Sequence, residues 1–355
     1  MFIYWLLFAY PAVMALTYPA RTERYGFSSA QAIALLGFVL LYTAIGGLRW
    51  ETGGDWMTYA EMYDEIRLDL PGFALTRTDP IYGIMNWASA QIGTELYLVN
   101  AICCWVLGYG VVRTAMTMRE PWLAVLIAVP YLLIVVGMGY VRQGAAIGMV
   151  LIAIGSLDKA RTLRTIFYLV LATGFHSTAV IAFPFFVFAL TRRNRAFALI
   201  ATIVGAIVYI NVLAPRLNTF EIGYVQQEYE SSGALTRVLM GLLPALLILA
   251  RWRAFPASDR VRSVWLAIAL ANVAALIALM LAPSSTAVDR IALFVSVIQL
   301  AAFGEIRALV GLADRGVLFV RMMMIGAAAA VQSVWLIFAT HAEYWVPYQS
   351  IFQAK

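Results

Sequence analysis

The residues best suited to chemistry in this 355-residue chain lie at positions 49–59, just after its second apolar stretch. They read Arg49-Trp-Glu-Thr-Gly-Gly-Asp-Trp-Met-Thr-Tyr59. A guanidinium group holds phosphate through a planar fork of donors, and a carboxylate can accept a proton from a hydroxyl group. Ionisable groups are costly to hold at the end of an apolar helix, so this cluster predicts a functional site.

Three further polar positions follow along the chain. Arg142 and Gln143 come directly after a Gly-Met-Gly-Tyr turn and begin an apolar stretch. His176 is one of only two histidines, and Asp289-Arg290 begins a late apolar stretch. Arginine at such places favours diphosphate recognition, because lysine cannot copy its bidentate geometry. These positions, together with residues 49–59, are the candidates for a catalytic site.

Each candidate also has a structural explanation. An arginine at a helix end can extend its charged head to the membrane surface or pair with a carboxylate. Asp55 can cap the helix that follows it, and a lone histidine such as His176 is often a hydrogen-bonded core residue. Trp56 and Tyr59 can belong to the belt of aromatic residues at a membrane surface. No single residue decides between these alternatives.

The composition sets the class of protein that must position these residues. With 63% hydrophobic residues, 12% charged residues and a mean hydropathy of +0.83, the chain is too apolar for a soluble domain. We predict an all-α polytopic integral membrane protein with about 11–12 transmembrane helices, forming one transmembrane domain over residues 1–355. The apolar stretches fall at residues 1–18, 28–48, 95–112, 121–138, 141–157, 163–190, 196–213, 235–250, 263–282, 288–304 and 317–340.

Basic residues flank the stretch 163–190 on both sides, which conflicts with the positive-inside rule for a single span. A hairpin of two short helices with its apex at residues 174–178 removes the conflict and places His176 on the outer side. The loops on the inner side then hold 17 of the 25 basic residues, and the outer side holds 13 of the 19 acidic residues. The net charge of +6 is therefore explained by topology, and no nucleic-acid partner is expected.

Two outer segments are long, residues 49–94 and 214–234. In the first, the spacing of Trp56, Tyr59, Tyr63 and Ile66 predicts a helix with one aromatic-apolar face, lying at the membrane surface. Asp79 followed by proline predicts a helix cap and a second helix over residues 81–92. The second segment is polar enough to form a mobile flap over a ligand.

The chain resembles a known family at these residues. Arg49, Gly53-Gly54-Asp55 and Tyr59 are similar to the Arg…Gly-Thr-Asp…Tyr signature of the EpsG family, which comprises Wzy-like polymerases of bacterial exopolysaccharides. The other matching motifs are, in chain order, Arg142-Gln143, Phe175-His176-Ser177-Thr178-Ala179-Val180, Arg290 and Pro347-Tyr348. Gly54 departs from the signature, because threonine is usual there, and this puts the sugar specificity in doubt.

The resemblance implies a GT-C-like polymerase bundle in the bacterial inner membrane, with its active site facing the periplasm. Its substrate would be an undecaprenyl-diphosphate-linked oligosaccharide, and its partners would include membrane lipid, a chain-length regulator and export proteins. Neither a metal ion nor another cofactor is expected, because arginine side chains would neutralise the departing diphosphate.

Roles for individual residues follow as expectations from the same comparison. Arg142 and Arg290, with Arg49 in support, would clamp the departing diphosphate. His176 or Asp55 would be the general base on the acceptor hydroxyl, and His176 is preferred because Asp55 competes with helix capping. Three aromatic residues would stack on sugar rings, and a glutamine would bind substrate: Trp56, Tyr59, Tyr224 and Gln143.

Two other activities remain open on the residues alone. A flippase for lipid-linked oligosaccharide would also need arginines on the outer side, but it should carry polar residues through the bundle to the inner side. A membrane O-acyltransferase would use a lone histidine, but it would draw its acyl donor from the cytoplasm. A purely structural membrane subunit would not need arginine, aspartate and histidine together.

Overall fold

The computed structural model describes residues 1–19, 28–158, 161–191, 233–281 and 285–353, and helices of very different lengths build most of these described residues. The all-α prediction is confirmed. The α-helices are α1 Phe2–Thr17, α2 Ser29–Gly47, α3 Trp56–Arg67, α4 Pro71–Arg77, α5 Pro80–Gln91, α6 Glu95–Ala115, α7 Pro121–Ala128, α8 Gly137–Gly139, α9 Val141–Asp158, α10 Thr162–Phe175, α11 Phe183–Thr191, α12 Ala234–Ala250, α13 Asp259–Leu281, α14 Ser285–Val295, α15 Ile298–Gly304, α16 Ile306–Val310 and α17 Asp314–Phe338.

Several of these helices are long and apolar enough to cross a membrane. They are Ser29–Gly47, Glu95–Ala115, Pro121–Gly139, Asp259–Leu281 and Gly316–Phe338. Shorter apolar helices stand beside them, as in Phe2–Thr17 and Ala234–Ala250. The chain is therefore a multi-pass membrane protein. The predicted span at residues 196–213 and most of the segment 214–234, including Tyr224, lie outside the described residues.

Two predicted spans are interrupted. The stretch 288–304, predicted as one helix, is divided into α14 and α15 by a turn at Ser296–Val297, so that prediction was wrong in detail. The stretch 163–190 breaks at His176, whose backbone is extended, and continues as a 3-10 helix over Ser177–Ala182 before α11. The break falls at the predicted apex. α10 packs along α9, whereas α11 packs against α13, so the two halves have different neighbours.

The most buried span carries a long π-helix. α7 continues into a π-helix over Val129–Val136, which contains Pro130, and then into α8. Two carbonyl groups of the π-helix accept hydrogen bonds from other elements: the Tyr42 hydroxyl donates to Leu133 at 2.9 Å, and the Trp345 indole donates to Ile134 at 3.4 Å. These donors tie α2 and the C-terminal segment to the centre of the bundle.

The C-terminal segment returns to the 49–59 loop. β1, Arg49–Trp50, pairs antiparallel with β2, Gln349–Ser350. The Gly53 amide donates to the Tyr344 carbonyl at 2.7 Å. Nothing in the sequence indicated this pairing, because two-residue strands have no periodic pattern. Backbone hydrogen bonds to the C-terminal segment therefore hold the part of the loop that directly precedes Asp55.

Helix α3 has the predicted aromatic-apolar face, and that face packs against the interior of the protein. Trp56, Tyr59, Tyr63 and Ile66 are all buried. Helix α3 therefore packs against the rest of the protein through this aromatic-apolar face. The opposite face of α3 is exposed, and its position at a membrane surface stays a prediction.

Glu120, which directly precedes α7, forms a buried ion pair with Arg321 on α17. Nη2 of Arg321 lies 2.7 Å from Oε2 of Glu120. Arg321 also donates to the Tyr18 carbonyl at 3.0 Å. A buried charge has to be paired, and here the pairing joins α17, the start of α7 and the end of α1.

Adjacent glycines in the 49–59 loop offer a test of its packing. Gly53 has φ +109, and a Cβ there would overlap the Met138 carbonyl oxygen, whereas a Cβ on Gly54 would lie 3.5 Å from the Trp345 ring. We expect Gly53→Ala to lower the free energy of unfolding by about 1–3 kcal/mol. Gly54→Ala, the matched control, should leave it within about 0.5 kcal/mol. Thermal unfolding in detergent measures both, and equal stabilities would contradict the close approach.

Candidate active site

A buried aspartate lies at the centre of the candidate site. The Asp79 side chain is 3% exposed, and its carboxylate accepts hydrogen bonds from three groups among the described residues. Its Oδ2 lies 3.0 Å from Nδ1 of His176 and 3.1 Å from Nη1 of Arg142, and its Oδ1 accepts the Ser177 amide at 2.9 Å. The start of α5, the start of α9 and the break after α10 therefore meet at one carboxylate.

The sequence predicted Asp79 only as a helix cap. α5 does begin directly after it, with Pro80, but the Asp79 side chain makes no capping hydrogen bond. That part of the prediction was wrong. Its two oxygens instead accept the Arg142 guanidinium, the His176 imidazole and the Ser177 amide, all of which lie far from Asp79 in sequence. An aspartate before proline carries no local signal that separates the two roles.

Arg142 is held on several sides. Besides Asp79, its Nη1 donates to the Thr78 hydroxyl at 2.8 Å. The guanidinium lies 5.7 Å from the ring centres of both Tyr59 and Tyr82, within the range of cation–π attraction. Its Nε is buried and has no hydrogen-bond partner among the residues that the structure describes. The buried Tyr59 ring, which the sequence assigned to sugar stacking, thus supports an arginine.

Arg290 lies against Asp55 and Tyr140. Its Nη2 is 3.8 Å from Oδ2 of Asp55, and its guanidinium lies 4.1 Å from the Tyr140 ring centre. Gln143 donates to the Arg290 carbonyl at 2.6 Å, which fixes the start of α14 relative to α9. The Asp55 side chain does not cap α3. Asp55 and Arg290 remain about one-third and one-quarter exposed, at 32% and 25%.

The electrostatics set distinct protonation states. Burial raises the pKa of Asp55, although Arg290 and Arg142 partly offset this effect. Burial alone would also raise the pKa of Asp79, but the hydrogen bond from His176 and the charge of Arg142 hold it well below its ordinary value. In the break between two helices, burial lowers the pKa of His176, and Asp79 offsets only part of this shift. At neutral pH, Asp79 is ionised and His176 is uncharged.

Arg49 does not join this cluster through its own donors. It is fully buried, and its Nε donates to the Thr52 carbonyl at 3.0 Å. Nη1 donates to the Gly46 carbonyl, and Nη2 donates to Asn100 Oδ1 at 3.1 Å. Trp56 packs against the same guanidinium at 5.6 Å. Arg49 therefore closes the end of α2, and its predicted support of the clamp remains a prediction.

The sequence also missed Arg237. Its guanidinium binds Asp289 through two bonds, Nε to Oδ1 at 2.7 Å and Nη2 to Oδ2 at 2.8 Å. Asp289 is buried and precedes Arg290 in α14. The only sequence signal for Arg237 was an arginine one turn into an apolar helix. This pair joins α12 to α14 beside the candidate site.

The fold and the site define a class: an all-α, multi-pass membrane protein with arginine, aspartate and histidine gathered where its helices begin or break. The chain belongs to the EpsG family, whose model matches residues 33–350. This family is one of polysaccharide polymerases, which gives the chain a role in polysaccharide biosynthesis with glycosyltransferase-like activity. No curated protein and no solved structure matches the chain.

The surroundings of Arg49 predict a structural role that can be measured. Arg49→Lys removes donors to buried acceptors, so we expect the free energy of unfolding to fall by about 1–3 kcal/mol. Arg67→Lys is the matched control, because Arg67 is half exposed and pairs with Asp64 one turn earlier on the same helix. It should change stability by less than about 0.5 kcal/mol. A stable but inactive Arg49→Lys protein would instead favour a role in binding diphosphate.

Proposed function

We propose that the chain is a polymerase that joins oligosaccharide repeat units carried on undecaprenyl diphosphate, at the periplasmic face of the bacterial inner membrane. One observation carries the proposal. Five ionisable side chains from separate stretches of the chain converge on one place: Asp55, Asp79, Arg142, His176 and Arg290. Membership of a polysaccharide polymerase family supports the reaction class.

The reaction needs a base, an acceptor and a stabilised leaving group. A hydroxyl oxygen of one lipid-linked unit attacks the anomeric carbon of the other, and its proton passes to the base. As this carbon–oxygen bond forms, the bond from the anomeric carbon to the diphosphate breaks, and its electron pair leaves with the lipid diphosphate. The leaving group therefore gains negative charge, which fixed cations nearby would stabilise.

Of the two arginines, Arg290 makes the longer contact with its carboxylate partner. Its contact with Asp55 is long at 3.8 Å and partly exposed, whereas Arg142 is held by Asp79 and Thr78 at 3.1 and 2.8 Å. A diphosphate oxygen would displace the Asp55 carboxylate and take a shorter bond to Arg290. Arg142 would add positive charge from a fixed position. Two guanidinium groups supply the charge, so no divalent metal ion is part of the proposal.

His176 is the proposed general base. Asp55 faces the same guanidinium that would bind the leaving group, so it is poorly placed to take the acceptor proton. His176 is 20% exposed and uncharged at neutral pH, and it can therefore accept a proton from a hydroxyl group within reach.

The arginine roles are tested with purified protein and a synthetic polyprenyl-diphosphate oligosaccharide. We expect the wild type to make a ladder of products, also with EDTA present. Arg290→Ala and Arg142→Ala should each lower the rate on the order of 10²–10³-fold, as removal of one charge-stabilising group does. Arg67→Ala, which removes a half-exposed arginine on α3, is the matched control. A substrate moved intact across liposomes would identify a flippase instead.

The pH dependence tests the base. Since only uncharged imidazole accepts a proton and burial lowers the pKa of His176, the rate should be constant above about pH 6.5 and fall at lower pH. His176→Ala should lower kcat by roughly 10²–10⁴-fold and abolish this acidic decline. An unchanged acidic decline in His176→Ala would assign the base to another group.

A further inference from the structure

The contact between Asp79 and His176 fixes which imidazole nitrogen carries the proton. An ionised carboxylate only accepts hydrogen bonds, so Nδ1 of His176, 3.0 Å from Oδ2, is the protonated nitrogen. The remaining nitrogen, Nε2, is then an acceptor. No hydrogen bond to Nε2 of His176 comes from any residue that the structure describes.

The carboxylate itself cannot easily turn. Its Oδ1 is held by the Ser177 amide at 2.9 Å, and its Oδ2 receives Nη1 of Arg142 at 3.1 Å as well as the imidazole. Ser177 directly follows the histidine, so one side chain fixes both the ring of His176 and the backbone beside it. These three hydrogen bonds hold the Asp79 carboxylate in place, and the hydrogen bond from Nδ1 to Oδ2 then orients the imidazole ring of His176.

We propose that Asp79 is a positioning residue that holds His176 in the tautomer and orientation in which Nε2 takes the proton from the acceptor hydroxyl. This inference rests on the proposed function, because it assigns a partner to the proposed base. During transfer, the hydroxyl proton moves to Nε2, and the imidazole becomes a cation beside the Asp79 carboxylate. The proton leaves Nε2 to water after the lipid diphosphate departs, which restores the starting state.

The charges around His176 decide how its titration responds. Asp79 at the start of α5 favours the imidazolium ion, whereas Arg142 on α9 and Arg290 on α14 oppose it. Loss of the Asp79 charge should therefore make His176 harder to protonate. In the Ser-His-Asp triad, replacing the carboxylate by an amide lowers kcat about 10⁴-fold, because the wrong tautomer forms.

Asp79→Asn is the test variant. The side-chain amide nitrogen of asparagine is itself a donor. In one orientation it would face Arg142 and His176, and in the other it would face the Ser177 amide. The native arrangement of hydrogen bonds therefore cannot persist. We expect kcat to fall by at least about 10²-fold, with a much smaller change in KM. The acidic decline of the rate should move to lower pH, and Asp79→Glu should recover part of the rate.

Thr78→Val is the matched control. Thr78 and Asp79 both hold Nη1 of Arg142, but only Asp79 contacts His176. If Asp79 acted only by holding Arg142, Thr78→Val would produce the same kind of change. We expect Thr78→Val to leave the acidic decline of the rate in place. An identical shift in both variants would overturn the positioning role.

A second measurement does not depend on activity. The chain has two histidines, and His341 provides an internal reference that contacts Tyr344. Diethyl pyrocarbonate reacts with uncharged imidazole, so the modification rate of each histidine against pH, read by peptide mass spectrometry, reports its titration. The titration of His176 should shift to lower pH in Asp79→Asn and stay unchanged in Thr78→Val.

The outcomes separate the two proposals. A wild-type protein that makes no product ladder overturns the proposed function, and the His176 titration then decides the Asp79–His176 contact by itself. A product ladder with an unshifted His176 titration in Asp79→Asn overturns the positioning role. A folded Asp79→Asn protein whose kcat stays within about threefold of the wild type overturns it as well.

Discussion

The buried Asp79 carboxylate is the constraint on which the site depends. A charge taken out of water is stable only when it is paired and hydrogen-bonded, and the partners of Asp79 come from two distant parts of the chain, Arg142 on α9 and His176-Ser177 at the break after α10. The pairing therefore fixes α5, α9 and the break after α10 relative to one another. Loss of one partner leaves an uncompensated buried charge, which makes the arrangement cooperative.

Charge pairing also explains why the resting site is close to neutral. Arg142 pairs with Asp79, Arg290 with Asp55, and Arg237 with Asp289. The Asp55 contact is the longest of the three, and burial raises the pKa of this carboxyl, whereas the pKa of Asp79 is lowered, so neutralising Asp55 costs less than neutralising Asp79. An anionic substrate would displace Asp55 from Arg290, whereas the Arg142–Asp79 and Arg237–Asp289 ion pairs would stay in place. A strongly cationic clamp, as the sequence predicted, would carry a larger cost of self-repulsion in its empty state.

Hydrogen bonds from side chains to backbone carbonyls connect the scaffold around this site. The π-helix over Val129–Val136 gives carbonyls to Tyr42 and Trp345, and Arg49 donates to the Gly46 carbonyl in the last turn of α2 and to the Thr52 carbonyl in the loop that follows. π-helical segments are often found at functional sites. Here the segment ends just before Tyr140 and Arg142, two residues that contact the charged groups. Packing of the 49–59 loop against Met138 then sets the position of Asp55.

Much of this protein was decided by local sequence. Hydropathy gave the membrane class and most helix boundaries, because burial in lipid demands long apolar helices wherever it occurs. Residue type and position indicated Asp55, Arg142, Gln143, His176 and Arg290, since ionisable groups at helix ends are costly and hence conspicuous. The matched motifs predicted the EpsG family.

Only the tertiary structure chose the partners. Asp79 and His176 are 97 positions apart, and an aspartate before a proline looks locally like a helix cap. Arg237, the buried role of Arg49 and the β1–β2 pairing depend on contacts between distant segments as well. A sequence pattern reports which face of one helix is apolar, but the partner of a buried charge is selected by the packing of all the helices around it.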